Sequence, residues 1–242
     1  MFDFKFFLKP SLVKLVPNNS LKDKIITFSI SLVIMYFILF GILILIKLTD
    51  IFINHKYGLS ISKLILQQQN NHYFKYTTLL GFSSSLLLSV IIEEIIFRKP
   101  LNLIKKNVIF CFILFYLIFI LQVFINPNLT SFDSIVKAIV LITITVFLIL
   151  KKQEFYENIK KYYWVYFYII TITFGIIHIG NFYDMLPKNL IGLSIIFVLP
   201  QTLLGFFTGY IRLKNGIIWS IAMHIIFNTP AFIMTALSNP NF

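Results

Sequence analysis

Charge is what this sequence has least of. Only 12% of its 242 residues are charged and only nine are Asp or Glu, against about 25% charged residues in an ordinary soluble domain. Hydrophobic residues fill 58% of the chain, and the mean hydropathy is +0.87. A chain so composed lacks the polar surface of a soluble globule, and its long apolar runs require lipid as their solvent. Cysteine is nearly absent as well. The single Cys111 excludes an intrachain disulfide and reads as a small core or lipid-facing residue within an apolar run. No small-residue cleavage site follows the first long apolar run, so nothing resembles a cleaved signal peptide. Repeats, low-complexity tracts and interdomain linkers are missing too. Residues 1–242 therefore read as a single integral membrane domain.

Aromatic residues and positive charge are plentiful. The 28 Phe and 12 Tyr suit lipid-facing helices with interfacial anchors. The net charge of +12 does not imply nucleic acid as a partner, because Lys and Arg fall between apolar runs and not along one polar face. Seven such runs can be counted, at 25–46, 76–97, 108–125, 135–150, 162–179, 190–210 and 217–237. A crossing needs about 20 residues, which makes 108–125 marginal and leaves 135–150 dependent on snorkelling by Lys137 and Lys151. Gly41, Gly81, Gly175, Gly192 and Gly205 permit close helix contact, and Pro200 should kink the sixth run. Residues 2–17 are too short to cross and read as an interfacial segment. The expected fold is an all-α polytopic transmembrane bundle of about seven spans (six to eight). Seven crossings place fifteen of the 21 Lys and Arg on one side and six on the other. The positive-inside rule then puts the N-terminus in the cytoplasm.

Three clusters of polar residues interrupt the apolar runs. Glu93 and Glu94 are adjacent, with Arg98 four residues after Glu94. An acid at membrane depth is costly unless paired or facing water. Glu94 and Arg98 share a helix face, so they predict a structural ion pair. Glu93 points about 100° away and lacks an in-helix partner; both acids could instead snorkel at the end of the second span. Phe174 and His178 lie one turn apart near the end of the fifth run, where a histidine can simply bond a neighbour. His224 and Asn228 project from one face of the last helix, and could clamp two helices or line a cavity. His55 and His72, in the loop after the first span, read as surface residues.

Taken together, Glu-Glu-x-x-x-Arg, Phe-x-x-x-His and His-x-x-x-Asn, in this order on three membrane helices, resemble the CAAX protease and bacteriocin-processing family. It is also called the abortive-infection or CPBP family and includes the CAAX prenyl proteases. Gly205, Gly209 and the stretch Asn215-Gly216-Ile217-Ile218-Trp219 resemble it too. The resemblance covers a catalytic core at about 79–228. Two departures are visible: Lys99-Pro100 follows the arginine where the family often has glycine, and the stretch from Arg98 to Phe174 has room for an extra hairpin of two spans. The resemblance implies an intramembrane endopeptidase, classed with metalloproteases, in a bacterial plasma membrane. Its partners would be membrane lipid and a protein or peptide substrate, prenylated or not.

For such chemistry Glu93 and His178 can hold and deprotonate a water, while His224 and Asn228 donate to the oxyanion. No Ser or Cys stands in these motifs to form an acyl-enzyme. A Zn²⁺ ion held by Glu93, His178 and His224 is the competing version, although the His-Glu-x-x-His zinc helix is absent. A non-proteolytic immunity or scaffold protein, or an ion transporter, remain as alternatives. Drawn as straight perpendicular rods, the helices place Glu93 and His178 at opposite depths. The site closes only if helices tilt, the fifth starts well inside the cytoplasm, or elements dip into a water-filled cavity.

Overall fold

The computed structural model describes residues 20–64, 79–114, 151–180 and 186–238. Among these residues the regular structure is all helical, without strands. Helix α1 (Leu21–Tyr57) begins at Ser20, whose hydroxyl accepts from the Asp23 amide at 3.2 Å, and ends at Gly58. Glycine suits that end because its φ of 67° is left-handed. Helix α2 (Leu79–Phe97) is followed by a 3₁₀ turn, Lys99–Asn102, and by α3 (residues 105–114). Next come α4 (Lys152–Lys161) and α5 (Tyr163–Ile177), then a 3₁₀ turn, Lys188–Leu193, and a single helical turn, Ser194–Phe197. Helices α6 (Leu199–Lys214) and α7 (Ile217–Ser238) follow.

Three stretches are long and apolar enough to cross a membrane among the described residues: Leu21–Tyr57, Asn189–Lys214 and Ile217–Met234. They correspond to the first, sixth and seventh expected runs. The fifth forms the shorter apolar helix α5. Of the third expected span only its beginning, in α3, is described, and the fourth lies outside the described residues, as does His72. The 37-residue α1 outruns its expected span, because no Pro or Gly interrupts the chain between Ile46 and Tyr57. His55, expected in a loop, thus stands exposed in the last turn of α1. The kink expected at Pro200 is a break at Val198 (φ −94°, ψ 1°), and the proline sits in the first turn of α6, where its missing N–H costs nothing. The outer surface is apolar, with Phe37 79% and Leu237 81% exposed. Exposure on that scale is what a lipid-facing helix presents.

Glycines set the packing of α5 against α6. A Cβ on Gly175 would lie 1.9 Å from the Thr202 hydroxyl oxygen, and one on Gly205 would lie 3.1 Å from the Thr171 carbonyl oxygen. Gly209 faces the Phe167 ring at 3.0 Å in the same sense. Gly41 and Gly192 have open space around them instead. Between α6 and α7 the chain reverses at Asn215 and Gly216, the latter at φ 104°. The Asn215 amide donates to the Lys24 carbonyl at 2.8 Å, which ties this hairpin to the start of α1. Midway along α1, the Tyr36 hydroxyl donates to the Ile226 carbonyl at 3.0 Å. That carbonyl needs a donor because Pro230, inside α7, has no N–H to offer it. Near the far end, buried Asp50 accepts from the Ile61 and Ser62 amides at 2.6 and 3.2 Å and from the Ser62 hydroxyl at 2.5 Å. Beneath this clasp Ile53 and Ile61 pack with Leu186, Leu190, Phe197 and Val198. Cys111 is buried and donates to the Ile95 carbonyl, which decides for the core over the lipid face.

Candidate active site

Glu94 stands at the meeting of α2, α6 and α7, fully buried. Its Oε1 lies 2.9 Å from His224 Nδ1 and 3.6 Å from Arg98 Nε, and its Oε2 accepts from the Ser220 hydroxyl. A carboxylate can only accept, so with Glu94 ionised the shared proton lies on Nδ1 and the other ring nitrogen is left for other work. That nitrogen, Nε2, faces Glu93 Oε2 at 3.7 Å. The separation exceeds a direct hydrogen bond. One helix thus presents two adjacent acids in different settings. The Glu94 side chain is sealed, whereas that of Glu93 keeps 28% of its surface open.

The expected pair of Glu94 and Arg98 is present, but each partner has further ties. Arg98 Nε donates to the Thr208 hydroxyl oxygen at 2.7 Å. The guanidinium carbon lies 4.3 Å from the Phe174 ring centroid, a cation–π contact. Its two Nη atoms have no hydrogen-bond partner among the described residues. The Arg98 carbonyl in turn accepts from Arg212 Nε at 3.2 Å, so two arginines gather at the negative end of α2.

Phe174 organises both histidines. Its ring centroid is 5.1 Å from that of His178 and 5.8 Å from that of His224. His178 caps α5, with Nδ1 2.8 Å from the Phe174 carbonyl oxygen. Since a carbonyl only accepts, Nδ1 must donate, and Nε2 takes no part in that bond. Among the described residues no hydrogen bond or ion pair joins His178 to Glu93; the histidine that faces Glu93 is His224. Asn228 follows one turn after His224 on α7 and is half-buried.

Depth is reconciled by where the helices begin and stop. Tyr163, the first residue of α5, donates to the carbonyl of Leu101 at 2.9 Å, beyond the end of α2. Phe97, the last residue of α2, packs on Phe174 with ring centroids 5.3 Å apart. Helix α5 therefore starts past the end of α2 and runs back alongside it, about 16 Å along its own axis from Tyr163 to Phe174. The motif histidine comes level with the motif acids because α5 starts beyond the end of α2.

Two contributors escaped the sequence reading. Ser220 had a signal: with His224 and Asn228 it forms a polar stripe at spacings of four on one face. Thr208 had none, being a lone hydroxyl among apolar neighbours. As for Zn²⁺, no group of three His, Cys, Asp or Glu placed to hold a metal ion is found among the described residues.

The model of the family described as Rce1-like, type II CAAX prenyl endopeptidase Rce1-like, matches residues 75–230. That stretch is more than half of the chain and contains every residue of the site. No curated protein and no solved structure matches the chain. With this match added to the three motifs, the chain belongs to the Rce1-like family of type II CAAX prenyl endopeptidases.

Proposed function

We propose that this integral membrane protein hydrolyses a peptide bond near the C-terminus of a membrane-associated, prenylated substrate, using water activated by a glutamate. The carrying observation is that Glu93, half open, faces His224 across 3.7 Å while Glu94 holds the ring from behind at 2.9 Å. Glu93, helped by the free Nε2 of His178, takes a proton from water as its oxygen attacks the scissile carbonyl carbon. The charge that develops on the carbonyl oxygen is met by His224, through Nε2–H when that nitrogen is protonated, and by the Asn228 amide. Collapse of the tetrahedral intermediate breaks the C–N bond, and the proton held by Glu93 passes to the leaving amine. Ser220 is no nucleophile in this scheme, since its hydroxyl is buried and bonded to Glu94.

Seven crossings with a cytoplasmic N-terminus, in a bacterial plasma membrane, complete the reading and rest on the charge asymmetry and the family. Kinetics on the purified chain with a farnesylated peptide test the chemistry. Glu93→Gln should abolish hydrolysis, since among the described residues no other half-buried acid flanks His224. Asn228→Ala should lose about 10²–10³ in kcat and keep measurable activity. If Glu93→Gln cleaves as fast as the unaltered protein, the proposal fails. If a chelator removes all activity and Zn²⁺ restores it, a metal mechanism replaces this one.

A further inference from the structure

Ser220 makes contacts that one hydroxyl proton cannot serve at once. Its Oγ bonds Glu94 Oε2 and also lies 3.0 Å from the Thr208 carbonyl oxygen. Both oxygens are acceptors while Glu94 is ionised, and a serine has one proton to give. With Glu94 ionised, that proton goes to Oε2. Were Oε2 itself to carry a proton, the serine would accept it and turn its own proton to the Thr208 carbonyl. The Oε1 atom of the same carboxylate binds His224 Nδ1.

Around this centre the polar contacts link up. Arg98 bonds Thr208 through its side chain, the Thr208 carbonyl meets Ser220, Ser220 meets Glu94, and Glu94 meets Arg98 and His224. All five residues are buried. We infer that Ser220 is a positioning residue: by holding Oε2 of Glu94 in either proton state, it fixes the carboxylate that orients the His224 imidazole toward the scissile carbonyl. Ser220 touches no substrate. It works on the reaction only through Glu94, and the inference rests on the proposed hydrolysis for its kinetic consequence.

Proteolysis by the full-length chain in detergent, with a farnesylated peptide, supplies the first test. Ser220→Ala should lower kcat about ten- to a hundredfold, the loss of one hydrogen bond to a charged group, with KM within twofold of the unaltered protein. In a Glu94→Gln background the same change should alter the residual kcat by less than twofold, because the path through Glu94 is already broken. A serine that merely packs α7 against α6 would instead cost the same in both backgrounds. A second readout needs no turnover. The four histidines allow assignment of ring ¹⁵N resonances by single substitution, and Ser220→Ala should shift those of His224 while leaving those of His178 in place. Unchanged kcat, an equal loss in both backgrounds, or unmoved His224 resonances would each overturn the assignment. Absence of cleavage by the unaltered chain would defeat the proposed function alone, and the ¹⁵N shifts would still judge Ser220.

Discussion

Arg98 is a guanidinium with no exposed surface, bonded to Thr208, paired with Glu94 and stacked on Phe174. Removing it strands a buried carboxylate, which typically costs about 3–5 kcal/mol. Arg98→Ala should therefore lower thermal stability in detergent far more than Asn102→Ala, whose half-buried side chain accepts from the Ile104 amide and the Asn107 side chain. Equal melting of the two variants would contradict the pair. The spacing of four between Glu94 and Arg98 made this contact legible in the sequence. What spacing could not show is that one carboxylate serves several donors from two helices. The bond from His224 to Glu94 spans 130 positions, and helical periodicity carries no information on such pairings. The sequence therefore suggested Glu93 with His178 and gave no sign that Glu93 also faces His224 at 3.7 Å.

Helices in this protein meet through small contacts with definite tolerances. Gly175→Ala should destabilise the protein by about 1–3 kcal/mol, as overpacking does. Deleting the Thr202 hydroxyl should rescue it only in part, because a Cβ at position 175 would still meet the Thr202 Cβ at 2.9 Å and its Cα at 3.1 Å. Full rescue by Thr202→Ala would mean that the helices shift apart freely. The tie between α1 and α7 yields a sharper test. Tyr36→Phe leaves the Ile226 carbonyl without its donor and should cost about 1–3 kcal/mol. In a Pro230→Ala background the restored amide can bond that carbonyl, so the same substitution should cost only a few tenths. Chemical denaturation of the four proteins measures the difference, and equal costs in both backgrounds would disprove the link. Among the described residues, apolar runs marked where α1, α2, α5, α6 and α7 lie, since lipid enforces that pattern. They marked ends poorly: nothing apolar distinguishes Ile46 from Tyr57 as a stopping point, and Gly58 is what ends α1.

At the scale of the whole molecule, the fifteen-to-six division of basic residues predicts opposite exposure for two labelling sites. Cysteines introduced after Lys106 and at position 239, in a Cys111→Ser background, should react with an impermeant reagent from opposite faces of the membrane. Labelling from the same face would mean an even number of crossings between them.

Helix α1 is clamped at three heights: to the α6–α7 turn at Lys24, to α7 at Tyr36, and through Asp50 to the segment that packs beside Val198. Sliding by a single turn, about 5.4 Å, would break the ties at Lys24 and Tyr36 together. Such a helix behaves as a fixed post. Any rearrangement that keeps these ties must therefore swing other helices against α1, with α1 as the frame from which their displacement is measured.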